Sequence, residues 1–459
     1  ADMNNFDSKF VFTQFLKNGN IVGYDQNGGY EINLNSEIIF QTPINLAGGI
    51  HHDFNKTDKN TYFFLSQDIQ EQYCPTECNS NLPNTVSWKG DIYREIDHNG
   101  IEIWNWNTFD YIDLSEYNPY YIETFSGFGQ IDWTHSNSIF FDKNSNSVFV
   151  SIRNLSRITK IDYPTKEIIW NMGQLDFMNE IYFNENLNFS QQHSAQVLDN
   201  GNILFFDNHR YLDPELSRCI EVNYDENNWT SEIVWEYILP PELFTGSRGE
   251  CDRLNNGNTL ISAGRTNHIL EVTNMNEIVW EANISSSGIY RSERIPHLHP
   301  VAFSIEIENL ITDNNETYVQ SINNEITLNI FNSGWGKGWY NYSLYQSDVE
   351  LKTDSIFVSP YTDETININI DNIPSGIYTI EMHPVDALEK SESIEFNLIN
   401  SIIEGDCNSD GLINILDIIS LINLILIEQN DDECADLNQD ELINILDIIT
   451  LTNLILENN

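Results

Sequence analysis

One short motif recurs along the first two thirds of the chain and restricts what it can fold into. A Glu-Ile-apolar-aromatic strand stands as EIIF at 37, IEIW at 101, EIIW at 167, EIVW at 232 and EIVW at 277. Glu37, Glu102, Glu167 and Glu232 are each 65 residues apart, and Glu277 follows after 45. Asn-Gly-Asn turns at 18–20, 200–202 and 256–258 precede the strands NIVGYD, NILFFD and NTLISA. Each unit therefore reads as about four short strands divided by turn residues. A unit of this size cannot bury its apolar face alone, and repetition with a closing aromatic strand predicts a β-propeller over 1–297. Five full units and a partial one, GIYRSERIP at 288–296, predict six blades, or five. Trp104, Trp170, Trp235 and Trp280 close the units and are expected in the blade cores.

The charge balance narrows the partners. The 459 residues carry 70 acidic against 21 basic side chains, a net charge of −49. Nucleic acid is excluded, because phosphate binding needs clustered Lys and Arg. Solubility, divalent cations and a saline habitat are favoured. No apolar stretch is long and uninterrupted enough to span a bilayer, since the Leu- and Ile-rich C-terminus is broken by Asp and Asn. The opening Ala-Asp-Met carries no signal-like segment, so a mature form is expected. Six cysteines form three local pairs: Cys74 with Cys78, Cys219 with Cys251 and Cys407 with Cys434. Such pairs predict disulfides and a secreted or cell-surface protein in oxidising surroundings. Zinc is disfavoured, because no CxxC or Cys-His ligand spacing occurs.

Two further regions follow. Residues 301–400 alternate in EITLNIFN, YNYSLYQ, TININI and GIYTIEMHP, which predicts an antiparallel, Ig-like β-sandwich acting as a spacer. Residues 401–459 are a duplication. Asp406, Asn408, Asp410, Asn414 and Asp417 recur as Asp436, Asn438, Asp440, Asn444 and Asp447 at loop positions 1, 3, 5, 9 and 12, with Leu412 and Leu442 offering carbonyls at position 7. This is calcium-loop spacing, in which hard oxygens converge on one ion. Gly411 suits the sharp turn, and Glu441 replaces it in the second copy, so the second site is expected to be more strained and weaker. Each loop leads into an apolar helix, ISLINLIL or ITLTNLIL. The segment resembles the dockerin type I family, which implies two calcium ions, a small helix pair and a cohesin-like or cell-surface partner. The pair Cys407 and Cys434 is expected to staple its halves.

Chemistry is concentrated on histidine. Three units open a strand with one: His52 in HHDF, His135 in DWTHSNSIFF and His193 in FSQQHSAQVL, while the first and fifth units have none there. In propellers that strand lines the central channel. Arg153 follows His135 by eighteen residues, one strand later in the same unit. Three imidazoles and a guanidinium make a cationic pocket suited to a tetrahedral oxyanion, because Arg binds oxyanions through paired donors. Asn137 and Asn154 are nearby amide donors. A divalent metal on three histidines stays open, although a fixed Arg beside a metal ion is repulsive. His98, His209, His268, His297, His299 and His383 follow no repeat register, with His209 and His51 as supporting groups.

At these residues the chain resembles the bacterial arylsulfotransferase (aryl-sulfate sulfotransferase) family. The matching elements are HHDF, DWTHSNSIFFD, SIRNLSRITKID with EIIWNMG, FSQQHSAQVLDNGNILFFDN and LNNGNTLIS, over about 9–297. The resemblance implies a six-bladed propeller that moves a sulfuryl group from a phenolic sulfate donor to a phenolic acceptor without a nucleotide cofactor. It implies His193 as the transient nucleophile, giving a sulfohistidine, and His52, His135 and Arg153 as the sulfuryl-binding set. His51 is the alternative to His52. Trp133 and Tyr290 are candidates to stack on the phenol. Two other readings remain: a non-catalytic extracellular propeller with a calcium-dependent docking module, and a metal-dependent lyase or hydrolase on the same histidines.

Overall fold

The computed structural model describes residues 10–73, 85–123, 130–180, 182–183, 187–285, 288–313, 316–321, 325–370, 373–388, 390–400, 404–408, 413–427 and 435–457. The chain is mainly β and divides into two compact units, 1–296 and 297–459.

The first unit is a series of four-stranded antiparallel meanders, consistent with propeller blades. Sheet I holds Val11–Phe15, Ile21–Asp25, Gly28–Ile32 and Ile38–Gln41. Sheet II holds Ile50–Lys56, Tyr62–Tyr73, Thr85–Ile96 and Glu102–Asn107, with Gln130–Asp132 added beside its third strand. Sheet III holds Ser136–Asp142, Ser147–Ile152, Arg157–Asp162 and Ile168–Gly173. Sheet IV holds His193–Val197, Ile203–Asp207, Arg218–Asp225 and Thr230–Ile238. Sheet V holds Glu250–Arg253, Thr259–Ser262, His268–Val272 and Ile278–Asn283.

The repeated turns explain the repeated sheets. In the three Asn-Gly-Asn turns the glycine is left-handed, with φ of 89°, 84° and 85° at Gly19, Gly201 and Gly257. The side-chain oxygens of Asn18, Asn200 and Asn256 each accept from the amide two residues on at 3.0 Å. The second Asn of each turn then donates to a buried glutamate on the third strand: Asn20 to Glu31, Asn202 to Glu221 and Asn258 to Glu271. Third-strand glutamates reach forward. Glu31 takes Lys56 and Tyr62 of sheet II, Glu221 takes Arg253 of sheet V, and Glu95 of sheet II takes Tyr163 beyond the third strand of sheet III.

Aromatic residues on the closing strands also face forward. Trp104 stacks on Tyr163 at 5.6 Å, Trp170 meets Tyr224 of sheet IV edge-on at 5.2 Å, and the Arg253 guanidinium lies 4.9 Å from Trp235. Trp280 departs from its expected core position and is 49% exposed. No further four-stranded sheet follows sheet V among the described residues, so its outer strand lacks that neighbour. The segment 288–296 instead turns toward sheets I and II. Arg291 pairs with Asp53 and Glu250, and the Glu293 carboxylate accepts from the Phe15 amide at 3.0 Å.

In the second unit, Phe303–Ile307, Glu325–Asn332 and Asp363–Asn369 form a three-stranded sheet, and a six-stranded sheet lies beside it. Ile326, Leu328 and Ile330 of the first share one core with Leu344, Ile380 and Phe396 of the second, as in a sandwich. Ile415–Leu426 and Ile445–Glu457 are helices that pack around Leu421, Ala435 and Leu451.

Of the expected cysteine pairs, Cys219–Cys251 is a disulfide joining the third strand of sheet IV to the inner strand of sheet V. Cys74, Cys78 and Cys434 lie outside the described residues. The bond closes a loop with a sequence separation of 32. Replacing both cysteines with Ala should lower the stability of the first unit by about 3–4 kcal/mol. Thermal denaturation reads this directly, and an unchanged midpoint would contradict the cross-link.

Candidate anion-binding active site

The inner strands of sheets II to V enter through a left-handed, non-glycine residue. The values of φ are 59° at His52, 49° at His135, 53° at Ser194 and 66° at Arg248. In sheets II, III and IV the ladder slips at the same place: between His51 and Phe54, Ser136 and Ser138, and His193 and Gln196. Such bulges bend a strand and redirect its side chains. They also refine the repeat register. His193 and His51 are the last paired residues before the slip, whereas His52 and His135 take the left-handed position. A bulge inserts a residue, so His51 and His52 both fall near the repeat position of His193.

The pocket brings the expected groups together. The His52 and His135 rings are 4.9 Å apart, and Tyr290 lies 5.8 Å from His52 and 6.3 Å from His193. Burial holds His52 well below the usual imidazole range, reinforced by repulsion from His51, His135, His193 and Arg153. Burial, then Arg153, does the same to His193. Both are therefore neutral at pH 7.

His193 is held in one tautomer. Its Nε2 accepts from the Arg248 amide at 3.1 Å, so the proton sits on Nδ1, which donates to Asn208 Oδ1 at 2.6 Å. Asn208 is fixed in turn, because its Nδ2 donates to the carbonyls of Thr245 and Arg248. His135 Nδ1 bonds Asp132 at 2.6 Å. Burial opposes charge on Asp132, yet the bond and charge of His135, with Lys89 and Arg153, hold its carboxyl far below the usual range. His52 Nδ1 lies 2.6 Å from His51 Nδ1, a contact that needs one proton between two nitrogens. His51 Nε2 is 3.1 Å from Asp91, whose carboxyl is lowered by His51, Thr134 and Ser136 against its burial.

Arg153 lies just past the second strand of sheet III and is 8% exposed. Its Nη1 donates to Tyr121 at 3.1 Å and to Asn154 at 2.8 Å, both neutral, and its buried Nε has no partner. Other buried arginines meet carboxylates: Arg157 meets Glu116, and Arg291 meets Asp53. Among the described residues no ion pair is formed by Arg153 within 4 Å. Asn154 spends its amide on the Asp132 carbonyl and its oxygen on Arg153, so it orients the guanidinium. Asn137 Nδ2 donates to the Gln192 carbonyl, and its buried Oδ1 has no partner.

The pocket also uses residues that periodicity did not mark: Tyr121, Asp132, Asn208, Asp91 and the Arg248 backbone. Trp133 is not at the mouth. It is 1% exposed and packs in the core with Trp88 and Phe109. His209 bonds Asp207 at 3.0 Å. Among the described residues no group of three or more His, Cys, Asp or Glu side chains is arranged to hold a metal ion.

In the C-terminal duplication, Asp410 and Leu412 lie outside the described residues. The rest repeats closely. Asp417 accepts from the amides of Asn408 and Asn414, and Asp447 accepts from those of Asn438 and Asn444. Both carboxylates are fully buried, and Asp406 nearly so. In the second loop Asp436 accepts from Asp440 and Glu441, Asp440 accepts from Leu442, and the Leu442 carbonyl accepts from Asn444. A donor set of hard oxygens with a buried carboxylate at position 12 fits calcium. Glu441 is left-handed, with φ of 66°.

Comparison with known proteins gives two family matches. The family model "Arylsulfotransferase (ASST)" matches residues 2–297, and "Dockerin type I domain" matches 404–456. No curated protein matches the chain. Among solved structures, a protein of unknown function from Bacteroides caccae is 13% identical, covering 72% of this chain and 84% of its own, with a TM-score of 0.30. A streptogramin B lyase is 12% identical, covering 84% and 98%, with a TM-score of 0.32. No helix of the described residues is long and apolar enough to cross a membrane. The chain belongs to the arylsulfotransferase family, which supports a sulfotransferase-like function, and carries a dockerin type I domain at its C-terminal end.

Proposed function

We propose that the first unit moves a sulfuryl group from a phenolic sulfate ester to a phenol through a sulfohistidine at His193. The observation that carries this is the buried charge of Arg153, which meets only neutral acceptors. Asp132 acts on this charge only beyond contact distance, and a buried cation with no anion in contact is costly, so an oxyanion ligand lowers that cost. Arg153 and His52 hold the sulfuryl oxygens, with Asn154 orienting Arg153 and His51 fixing the His52 ring. Asn137 offers a polar contact.

Each step balances. The Nε2 lone pair of His193 attacks sulfur, an N–S bond forms, and the S–O bond to the aryl group breaks. His135, as the imidazolium whose Nδ1–H donates to Asp132, gives its Nε2 proton to the leaving phenolate and becomes neutral. The acceptor phenol returns a proton to His135, its oxygen attacks sulfur, and the N–S bond breaks. Asn208 keeps the Nδ1 proton of His193 in place, so the same nitrogen attacks in each cycle.

The C-terminal module is read as a calcium-dependent docking element on a secreted protein. Calcium would be held by Asp406, Asn408, Asp410, Leu412, Asn414 and Asp417, and again by Asp436, Asn438, Asp440, Leu442, Asn444 and Asp447. It supplies the charge that lets these oxygens crowd together. Ile415, Leu416 and Ile419 are exposed on one helix, and Ile445, Leu446 and Ile449 on the other. A duplicated apolar patch of this kind suits a cohesin-type protein partner.

Inorganic sulfate should stabilise the wild type by about 2.7 kcal/mol at a hundredfold excess over its Kd and so raise its thermal midpoint. Arg153→Gln should abolish that shift, and an equal shift in both would place the anion elsewhere. Transfer from 4-nitrophenyl sulfate to phenol should fall by about 10³-fold or more in His193→Asn. Absence of 4-nitrophenol release from the wild type, or activity that survives the substitution, would refute the nucleophile. Because burial and Arg153 depress His193 in the free protein, the acid limb of kcat/KM should lie well below pH 6.5, and Arg153→Gln should move it upward.

Chelation should loosen 404–457 and leave the first unit folded. Glu441→Gly should relieve about 1 kcal/mol of backbone strain, roughly a fivefold gain in calcium affinity at the second loop. Calorimetric titration of the two proteins measures this, and equal affinities would show that the backbone costs nothing there.

A further inference from the structure

The segment that holds His193 also presents an aromatic surface. Directly after Asn208 the chain runs through His209, Arg210 and Tyr211, with left-handed φ of 46° at His209 and 69° at Tyr211. Such conformations cost about 1–3 kcal/mol each in a non-glycine residue and persist only where neighbours impose them. Here Asp207 accepts from the His209 amide at 2.7 Å, Ser190 donates to the Arg210 carbonyl at 2.6 Å, and Glu215 accepts from the Tyr211 amide at 3.1 Å. Asp207 is itself locked by Arg218 at 2.9 Å. The constrained turn brings the Tyr211 ring to 4.3 Å from that of Tyr120, and the two remain 41% and 37% exposed.

This pair connects to the anion pocket through one ring. Tyr120 meets Tyr121 edge-on at 5.3 Å, and the Tyr121 hydroxyl accepts from Arg153 Nη1 at 3.1 Å while donating to Gln191. The Arg210 guanidinium lies 4.6 Å from the Tyr211 ring centre. An exposed aromatic pair next to a buried, unpaired arginine, with a second cation at its edge, matches an aryl ring that carries an oxyanion.

We propose that Tyr120 and Tyr211 form the subsite for the aryl ring of the substrate, and that Arg210 favours rings bearing a second anionic group. The proposal rests on the sulfuryl-transfer reading for the position of the ring's sulfate, but not for ring binding itself. Aromatic pairs gain by offset or edge contact, and the loss of one partner is felt mainly in affinity. The subsite therefore acts on KM and on phenol binding more than on kcat.

Binding of 4-nitrophenol and 4-hydroxybenzoate to the full chain, followed by calorimetry, tests it. Tyr211→Ala should weaken 4-nitrophenol by about tenfold, and Tyr211→Phe and Tyr120→Phe should stay within about twofold. Arg210→Gln should lose a severalfold preference for 4-hydroxybenzoate. Unchanged binding in a folded Tyr211→Ala, or no binding by the wild type, overturns the subsite. Platform-dependent binding without sulfuryl transfer supports the subsite and removes the reaction. Transfer with a KM indifferent to Tyr211→Ala keeps the reaction and removes the subsite.

Discussion

Side chains that bond the backbone of the neighbouring inner strand hold the first unit in register, and the pocket depends on them. Thr13 of sheet I donates to the Phe54 carbonyl of sheet II at 2.5 Å. Asp53 of sheet II accepts from the Ile139 amide of sheet III at 2.9 Å. Ser138 accepts from the Ala195 amide of sheet IV at 2.9 Å, and Gln196 donates to the Cys251 carbonyl of sheet V at 2.5 Å. Arg291 then joins Asp53 to Glu250. Each rung sits within a few residues of a pocket group, so a loosened rung would displace a histidine. Buried bonds of this kind fix geometry as much as they stabilise.

The electrostatics follow from that geometry. The chain is strongly acidic, yet its pocket carries the Arg153 cation and the neutral imidazoles of His52 and His193. Acidic groups near it are engaged: Asp132 with His135, Asp91 with Thr134 and the Ser136 amide, and Asp53 with Arg291. Each carboxylate orients a ring or a strand, and none of the three is in contact with Arg153. A surface that repels anions and a pocket suited to one can therefore coexist, because the pocket acts at contact distance and the surface charges are screened beyond about 10 Å.

Much of this was legible in the sequence, for reasons tied to particular residues. The Glu-Ile-apolar-aromatic strands repeat because each sheet packs forward in the same way, and repetition survives in one dimension. His52, His135, His193 and Arg153 stood out because they break that repeat. The calcium-loop spacing was legible because all its ligands come from one local segment. Asn208, Asp132 and Tyr121 were not marked, since each acts through a partner distant in the chain or through the backbone. Trp133 illustrates the limit of reading an aromatic residue from its neighbours. It is two residues from His135, yet the chain turns its ring into the core. Trp280 shows the opposite case, a repeat residue whose burial depends on a neighbour that its own segment does not supply.

The amide of Arg248 occupies the nitrogen lone pair of His193 that the proposed attack on sulfur needs. In the resting protein the reactive electron pair is thus capped by the backbone. A substrate has to displace that cap, at a cost of about 0.5–1.5 kcal/mol for a neutral hydrogen bond. The cap gives the imidazole a threshold: weakly held electrophiles fail to uncover it, while a ligand gripped by Arg153 does. Selectivity against stray modification then comes from a competing hydrogen bond and asks nothing of the shape of the pocket.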